Sequence, residues 1–172
     1  MTDNELRQWV DSWSSEYPDE YDEQIEHLRG RDAFTYGELA EVYKWKYRGL
    51  WPQRKIDSMD AFPEAEALTR RAFACPDELG ALLILTLIPG ASTAGASAIL
   101  MAHNPGQFTV MDIRAIKSLI WPLERWSAQK QGTKASALRW PEYLEQCRDI
   151  AARTNRSLRI VDRALYASKG RA

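Results

Sequence analysis

Apolar residues recur along the chain three or four positions apart, and nowhere do they alternate with polar ones over a useful length. Leu6, Trp9, Val10 and Trp13 share one face of a first helix, which Pro18 closes. The next stretch, Asp19 to Arg29, is acidic and weakly amphipathic, and Gly30 ends it. Thr35 followed by Glu38 reads as a capping box, in which hydroxyl and carboxylate each satisfy free backbone donors at a helix start. The helix it opens carries Leu39, Val42 and Tyr43 and runs into Trp45 and Lys46. Pro63 and Pro76, each followed by acidic residues that suit the helix dipole, predict helices over about 63–74 and 76–87. A further helix is expected from Thr93 to His103 and Asn104. After Pro105 and Gly106 a short extended piece, Phe108 to Met111, leads to Asp112 and a helix over about 113–120, stopped by Trp121 and Pro122. Residues 127–136 are small and polar, which predicts an exposed loop. Pro141 is expected to open a long helix. Ser157 is expected to cap the last one, whose apolar stripe is Leu158, Val161, Leu165 and Tyr166. The pattern predicts an all-α fold.

At 172 residues, 45% apolar and 27% charged, the chain has the length and composition of one globular domain with a single sizeable core. A single helical domain over 1–172 is expected, with acidic N-terminal helices over 1–43. Seven Trp and seven Tyr fit either a core or a surface on which nucleobases stack. The apolar run Leu82 to Ile88 is too short to cross a bilayer, and no secretory leader is apparent, so a cytoplasmic protein without membrane contact is expected. Cys75 and Cys147 form no CxxC pair and have no histidine at ligand spacing, which argues against a zinc site or an iron–sulfur cluster.

The net charge of −1 hides a strong asymmetry. Residues 1–43 hold 3 basic and 12 acidic side chains, residues 44–113 hold 7 of each, and residues 114–172 hold 13 basic and 5 acidic. Such a chain can present a basic face to phosphates while its total stays near zero, or the charges can simply solvate helix faces.

The most informative stretch is Leu87-Ile88-Pro89-Gly90-Ala91-Ser92-Thr93-Ala94-Gly95-Ala96-Ser97-Ala98. An apolar helix ends in a tight turn containing Gly90, and a helix of small residues follows almost at once. Unpaired backbone N–H groups at the second helix's start, on the positive end of its dipole, can receive a phosphate oxygen without any basic side chain. Pro89, Gly90, Ala91, Ser92, Thr93 and Ala94 are therefore the candidate phosphate contacts.

This stretch resembles the hairpin of the helix-hairpin-helix DNA glycosylases, the superfamily that includes endonuclease III and the adenine and 3-methyladenine glycosylases. Their hairpin reads Leu-Pro-Gly-Val-Gly-x-x-Thr-Ala, and the match covers Pro89, Gly90 and Ala96, with Ser92 in place of the second glycine. Serine tolerates a positive φ poorly, so strain or a relaxed turn is expected at Ser92. In the family the catalytic aspartate lies some eighteen residues beyond the sixth-to-seventh hairpin position, after a helix, a proline-bearing loop and a short extended element. Here Ala94 to Asp112 is a step of 18, and the same order of elements intervenes. The resemblance covers about 76–120, with the hairpin over 76–103 and the aspartate loop and helix over 105–120, and it is weak over 1–60. Asp112 can equally be the cap of its helix, and both roles can hold at once.

The resemblance implies a compact helical glycosylase-like fold, double-stranded DNA as partner, no obligate protein partner and Asp112 as catalytic carboxylate. It implies no cofactor beyond a monovalent cation that hairpin carbonyls could hold. Members that also cut the strand carry a hairpin lysine; the matching position here is Ala94, which implies a monofunctional enzyme, unless Lys46 substitutes. Arg114, where endonuclease III-like members have His, could contact phosphate or Asp112. Tyr43 to Trp51 interleaves aromatics with cations, making Trp45, Lys46, Tyr47 and Arg48 candidates for a pocket that stacks and holds an extruded base, or else a core tryptophan among solvated cations. The Trp45-Lys46 pair also resembles an element of small bacterial members without the iron–sulfur cluster. His27 and His103 read as surface or helix-end residues. The expected function is excision of a damaged or modified base, in repair or in defence against phage DNA. The alternatives are a hairpin module that only holds DNA and a helical interaction protein.

Overall fold

The structure, a computed structural model, describes residues 1–47, 64–119 and 132–168. Every regular element among them is helical, so the fold is all-α as the hydrophobic period predicts. The chain divides into two compact units, Met1–Pro18 with Pro105–Ala172, and Asp19–Asn104.

The first unit contains α1 (Asp3–Ser14), α7 (Ile113–Ser118), α8 (Gly132–Thr154) and α9 (Leu158–Ser168). Thr2 starts α1 with a capping box, its hydroxyl accepting from the Glu5 N–H while the Glu5 carboxylate accepts from the Thr2 N–H. Leu6 and Val10 of α1 are buried, and α1 packs on α8 and α9. Ser157 caps α9 by accepting from Ile160 N–H at 3.3 Å, as its sequence predicts. The predicted loop over 127–136 is helical from Gly132 onward, and its earlier residues lie outside the described ones. Pro141 therefore sits inside α8 instead of opening it. A proline there forfeits one backbone hydrogen bond and crowds the preceding turn, at a cost of about 3 kcal/mol. Burial on both sides of it offsets this: Ala137, Trp140, Tyr143 and Leu144 are all within the core.

This unit also gathers the charge asymmetry. Arg153 pairs with Asp3 at 2.9 Å, Arg156 holds both carboxylate oxygens of Asp11 at 2.6 and 2.7 Å, and Arg7 Nε donates to the Thr154 carbonyl at 2.8 Å. The acidic first helix is thus partly the counter-charge of the basic C-terminal helices. By sequence this unit holds 14 basic and 10 acidic residues, while the other holds 9 and 14.

The second unit contains α2 (Glu20–Glu23), a 3-10 turn (Glu26–Leu28), α3 (Tyr36–Tyr47), α4 (Ala65–Phe73), α5 (Glu78–Leu85) and α6 (Thr93–His103). The acidic stretch after Pro18 makes only these two short pieces, ended by Gly30 at a φ of +70°. The Thr35–Glu38 capping box is present, with 3.3 Å from Glu38 N–H to the Thr35 hydroxyl and 2.7 Å from Thr35 N–H to the Glu38 carboxylate. Asp77 caps α5, so the helix starts at Glu78, two positions later than Pro76 suggests. Pro63 and the Trp121-Pro122 stop lie outside the described residues. α6 packs against α3 and α5, and its residues from Gly95 to Ala102 are all buried. Phe34, Phe73 and His103 form an aromatic cluster at its end, the His103 ring stacked 4.0 Å from Phe73. No described helix is long and apolar enough to cross a membrane.

Candidate functional site

The turn between α5 and α6 spans residues 86–92. Gly90 takes a φ of +76°, where a side chain would clash with its own backbone, which explains a glycine at this point. The strain expected at Ser92 is not there. Ser92 lies at φ −86° and ψ 173°, ordinary extended backbone, and serves as the N-cap of α6. Its hydroxyl accepts from the Gly95 N–H at 3.3 Å, so it performs a cap. Thr93 is buried, Ala94, Ala91 and Pro89 are half-buried, and Gly90 is exposed.

The aromatic segment of α3 meets this corner within the same unit. The Tyr47 hydroxyl lies 3.3 Å from that of Ser92, and a Cβ on Gly95 would fall 3.0 Å from the Tyr47 oxygen and 3.4 Å from the Tyr43 ring. Gly95 is therefore small because two tyrosines cross α6 there. Tyr43 is fully buried, and its hydroxyl is pushed well above its ordinary pKa by desolvation. The sequence places Tyr43 on the apolar face of its helix and Gly95 among the small residues of α6, but not their contact with each other. Of the proposed pocket residues, Trp45 is only 6% exposed and belongs to the core, whereas Lys46 and Tyr47 are half-buried and Arg48 lies outside the described residues.

Asp112 belongs to the other unit. It is the N-cap of α7, one carboxylate oxygen accepting from the N–H groups of Arg114 and Ala115 at 2.9 Å each. The residue is half-buried, so a carboxylate held in one orientation keeps access to solvent. Phe108 to Met111, expected as an extended piece, form no helix and are buried. Arg114 is exposed, its guanidinium 5.0 Å over the Tyr166 ring and donating to the Tyr166 hydroxyl at 2.6 Å. Behind Asp112 stands a buried polar group that the sequence reading missed: Asp162, Thr109 and Tyr143. Its signal was an aspartate adjoining the apolar stripe of α9.

Elsewhere, His27 pairs with Glu41 at 2.9 Å and His103 is spent on its aromatic stack. Desolvation lowers the His103 pKa. A cavity of about 340 Å³ beside Arg31, Asp32, Glu66 and Arg70 is polar, but its arginines pair with Glu38 at 2.8 Å and Glu66 at 3.2 Å. Among the described residues no cluster of three or more His, Cys, Asp or Glu side chains could hold a metal. Cys147 is buried and its thiol is pushed up to about 12 by desolvation, which makes it an inert core residue.

Compared with known proteins, the chain matches no protein-family model, no curated protein and no solved structure.

Proposed function

We propose that the chain is a monofunctional DNA glycosylase that excises a damaged or modified base, with Asp112 as its catalytic carboxylate. The observation that carries this reading is a half-exposed carboxylate, oriented by two backbone N–H groups at a helix start, eighteen positions beyond the first turn of the hairpin's second helix. Breaking an N-glycosidic bond develops positive charge on the sugar C1′ as the base departs. A fixed carboxylate stabilises that charge and takes a proton from the water that forms the new C1′–O bond. The leaving base carries away the electrons of the broken bond and is protonated. Ala94 offers no amine at the hairpin position, so the product is an abasic site in an intact strand. The capped corner of α6 suits phosphate, and Arg114 and Lys46 supply cations that suit DNA as partner.

The test is to incubate the protein with duplexes bearing a panel of modified bases and to measure alkali-labile sites. Asp112→Asn keeps the cap, since asparagine caps as well as aspartate, but removes the charge. Base release should fall about 100-fold or more with the melting temperature nearly unchanged. Equal release by wild type and variant removes Asp112 from the chemistry, and no release from any duplex removes the glycosylase reading.

A second reading is a hairpin module that binds DNA without cutting it. It is favoured by the completeness of the Asp112 cap, which gives that residue a sufficient structural reason. It predicts salt-sensitive DNA binding, no base release, and binding indifferent to Asp112.

A further inference from the structure

Asp162 stands beside the apolar stripe of α9, next to Val161 and one turn before Leu165, and is only 3% exposed. Removing a carboxylate from water costs several kcal/mol, and well-packed apolar residues in place of a buried ion pair are often as stable or more so. Its presence therefore calls for a reason, which its hydrogen-bond partners supply. One of its oxygens pairs with the Arg159 guanidinium from the preceding turn. The other accepts from the Thr109 hydroxyl at 3.1 Å and the Val110 N–H at 3.3 Å. From α8 the Tyr143 hydroxyl donates to the Val110 carbonyl at 3.0 Å.

Val110 is thus held at both its N–H and its C=O by side chains from two different helices. Among the described residues this non-helical segment has no sheet partner, so these side chains satisfy backbone groups that would otherwise go unpaired. The same Val110 carbonyl accepts from the Asp112 N–H at 3.1 Å. A continuous path of hydrogen bonds consequently runs from Asp162 and Tyr143 through Val110 to the backbone of Asp112.

We propose that Asp162 is a positioning residue: with Tyr143 it clamps Thr109 and Val110 and so sets where the Asp112 carboxylate stands. Its use for catalysis rests on the glycosylase reading; the clamp itself does not. The groups that face Asp162 are Arg159 on its own helix, Tyr143 and Cys147 on α8, and Asp112 at the start of α7. Burial raises the Asp162 pKa, Arg159 opposes that rise, and the negative charge of Asp112 adds to it.

The experiment follows the carboxyl carbon of Asp112 by NMR through a pH titration, in wild type, Asp162→Asn, Thr109→Val and Tyr143→Phe. Asp162→Asn, which weakens the acceptor of the clamp, should change the Asp112 chemical shift. Thr109→Val and Tyr143→Phe, which leave the charge but remove one bond of the clamp, should change its chemical shift. If Asp162→Asn does not fold, these two variants carry the test alone. A carboxyl shift matching wild type in every folded variant would overturn the proposal. With an active duplex substrate, Tyr143→Phe should lower kcat about 10-fold with KM within about twofold, the sign of a misplaced catalytic group. Equal losses in kcat and stability alone, without movement of the Asp112 signal, would assign the network to folding. Should the Asp112 signal move while wild type releases no base, the clamp stands and the enzyme reading falls.

Discussion

The Tyr47 hydroxyl lies 3.3 Å from the Ser92 hydroxyl, the same oxygen that caps α6 by accepting from Gly95 N–H. One side chain from α3 is thus tied to the first turn of α6, at the corner expected to meet phosphate. Tyr43, a turn earlier on α3, stacks edge-on against Tyr47 with ring centroids 5.6 Å apart.

Ser92 should respond as a cap and not as a strained substitute for glycine. Ser92→Ala should cost about 1 kcal/mol, and Ser92→Gly should cost a few tenths. A gain in stability from Ser92→Gly in denaturant unfolding would show that the serine is strained after all, against its φ of −86°.

Gly95→Ala brings a methyl group to 3.0 Å from the Tyr47 hydroxyl and 3.4 Å from the Tyr43 ring. Alanine gains about 1 kcal/mol of helix propensity, while forcing the two rings apart costs about 1–3 kcal/mol, so a net loss of about 1 kcal/mol is expected. Tyr47→Phe removes the closest atom and should recover part of that loss. A double-mutant cycle measures this directly, and a coupling of zero would mean that Tyr47 does not limit Gly95.

The Asp11–Arg156 pair predicts a pH and salt signature. The Arg156 hydrogen bonds hold the Asp11 carboxyl below its ordinary pKa. Such a group stabilises the fold above the unfolded-state value of about 4 and loses that contribution as the pH falls through its depressed value. The melting temperature of Arg156→Gln should therefore lie below that of wild type near neutrality and converge with it in acid. High salt should shrink the difference as well, because both side chains are substantially exposed. A difference that grows on acidification would contradict the assignment.

What local chemistry governs could be read from the chain. The Thr35–Glu38 box, the Ser157 and Asp112 caps and the helix from Thr93 to His103 all depend on neighbours two to four positions away. The glycine at Gly90 was legible for the same reason, since a tight turn demands a positive φ of its own backbone.

Where distant residues compete, the sequence pointed elsewhere. Pro141 looks like a helix start by propensity, yet α8 runs through it because Trp140 and Tyr143 bury on either side. Ser92 looked like a strained replacement until its hydroxyl met the Gly95 N–H in an extended conformation. The acidic beginning and basic end looked like separate faces, and tertiary packing joined Asp3 to Arg153 and Asp11 to Arg156 across some 150 and 145 positions.

Asp162 draws the line most clearly. Sequence alone determined that α9 has an apolar stripe, because a helix repeats every 3.6 residues whatever it packs against. Only the folded unit decided that a carboxylate belongs beside that stripe, because the Val110 N–H and the Thr109 hydroxyl, more than fifty positions away, come to rest against it and need an acceptor out of water's reach.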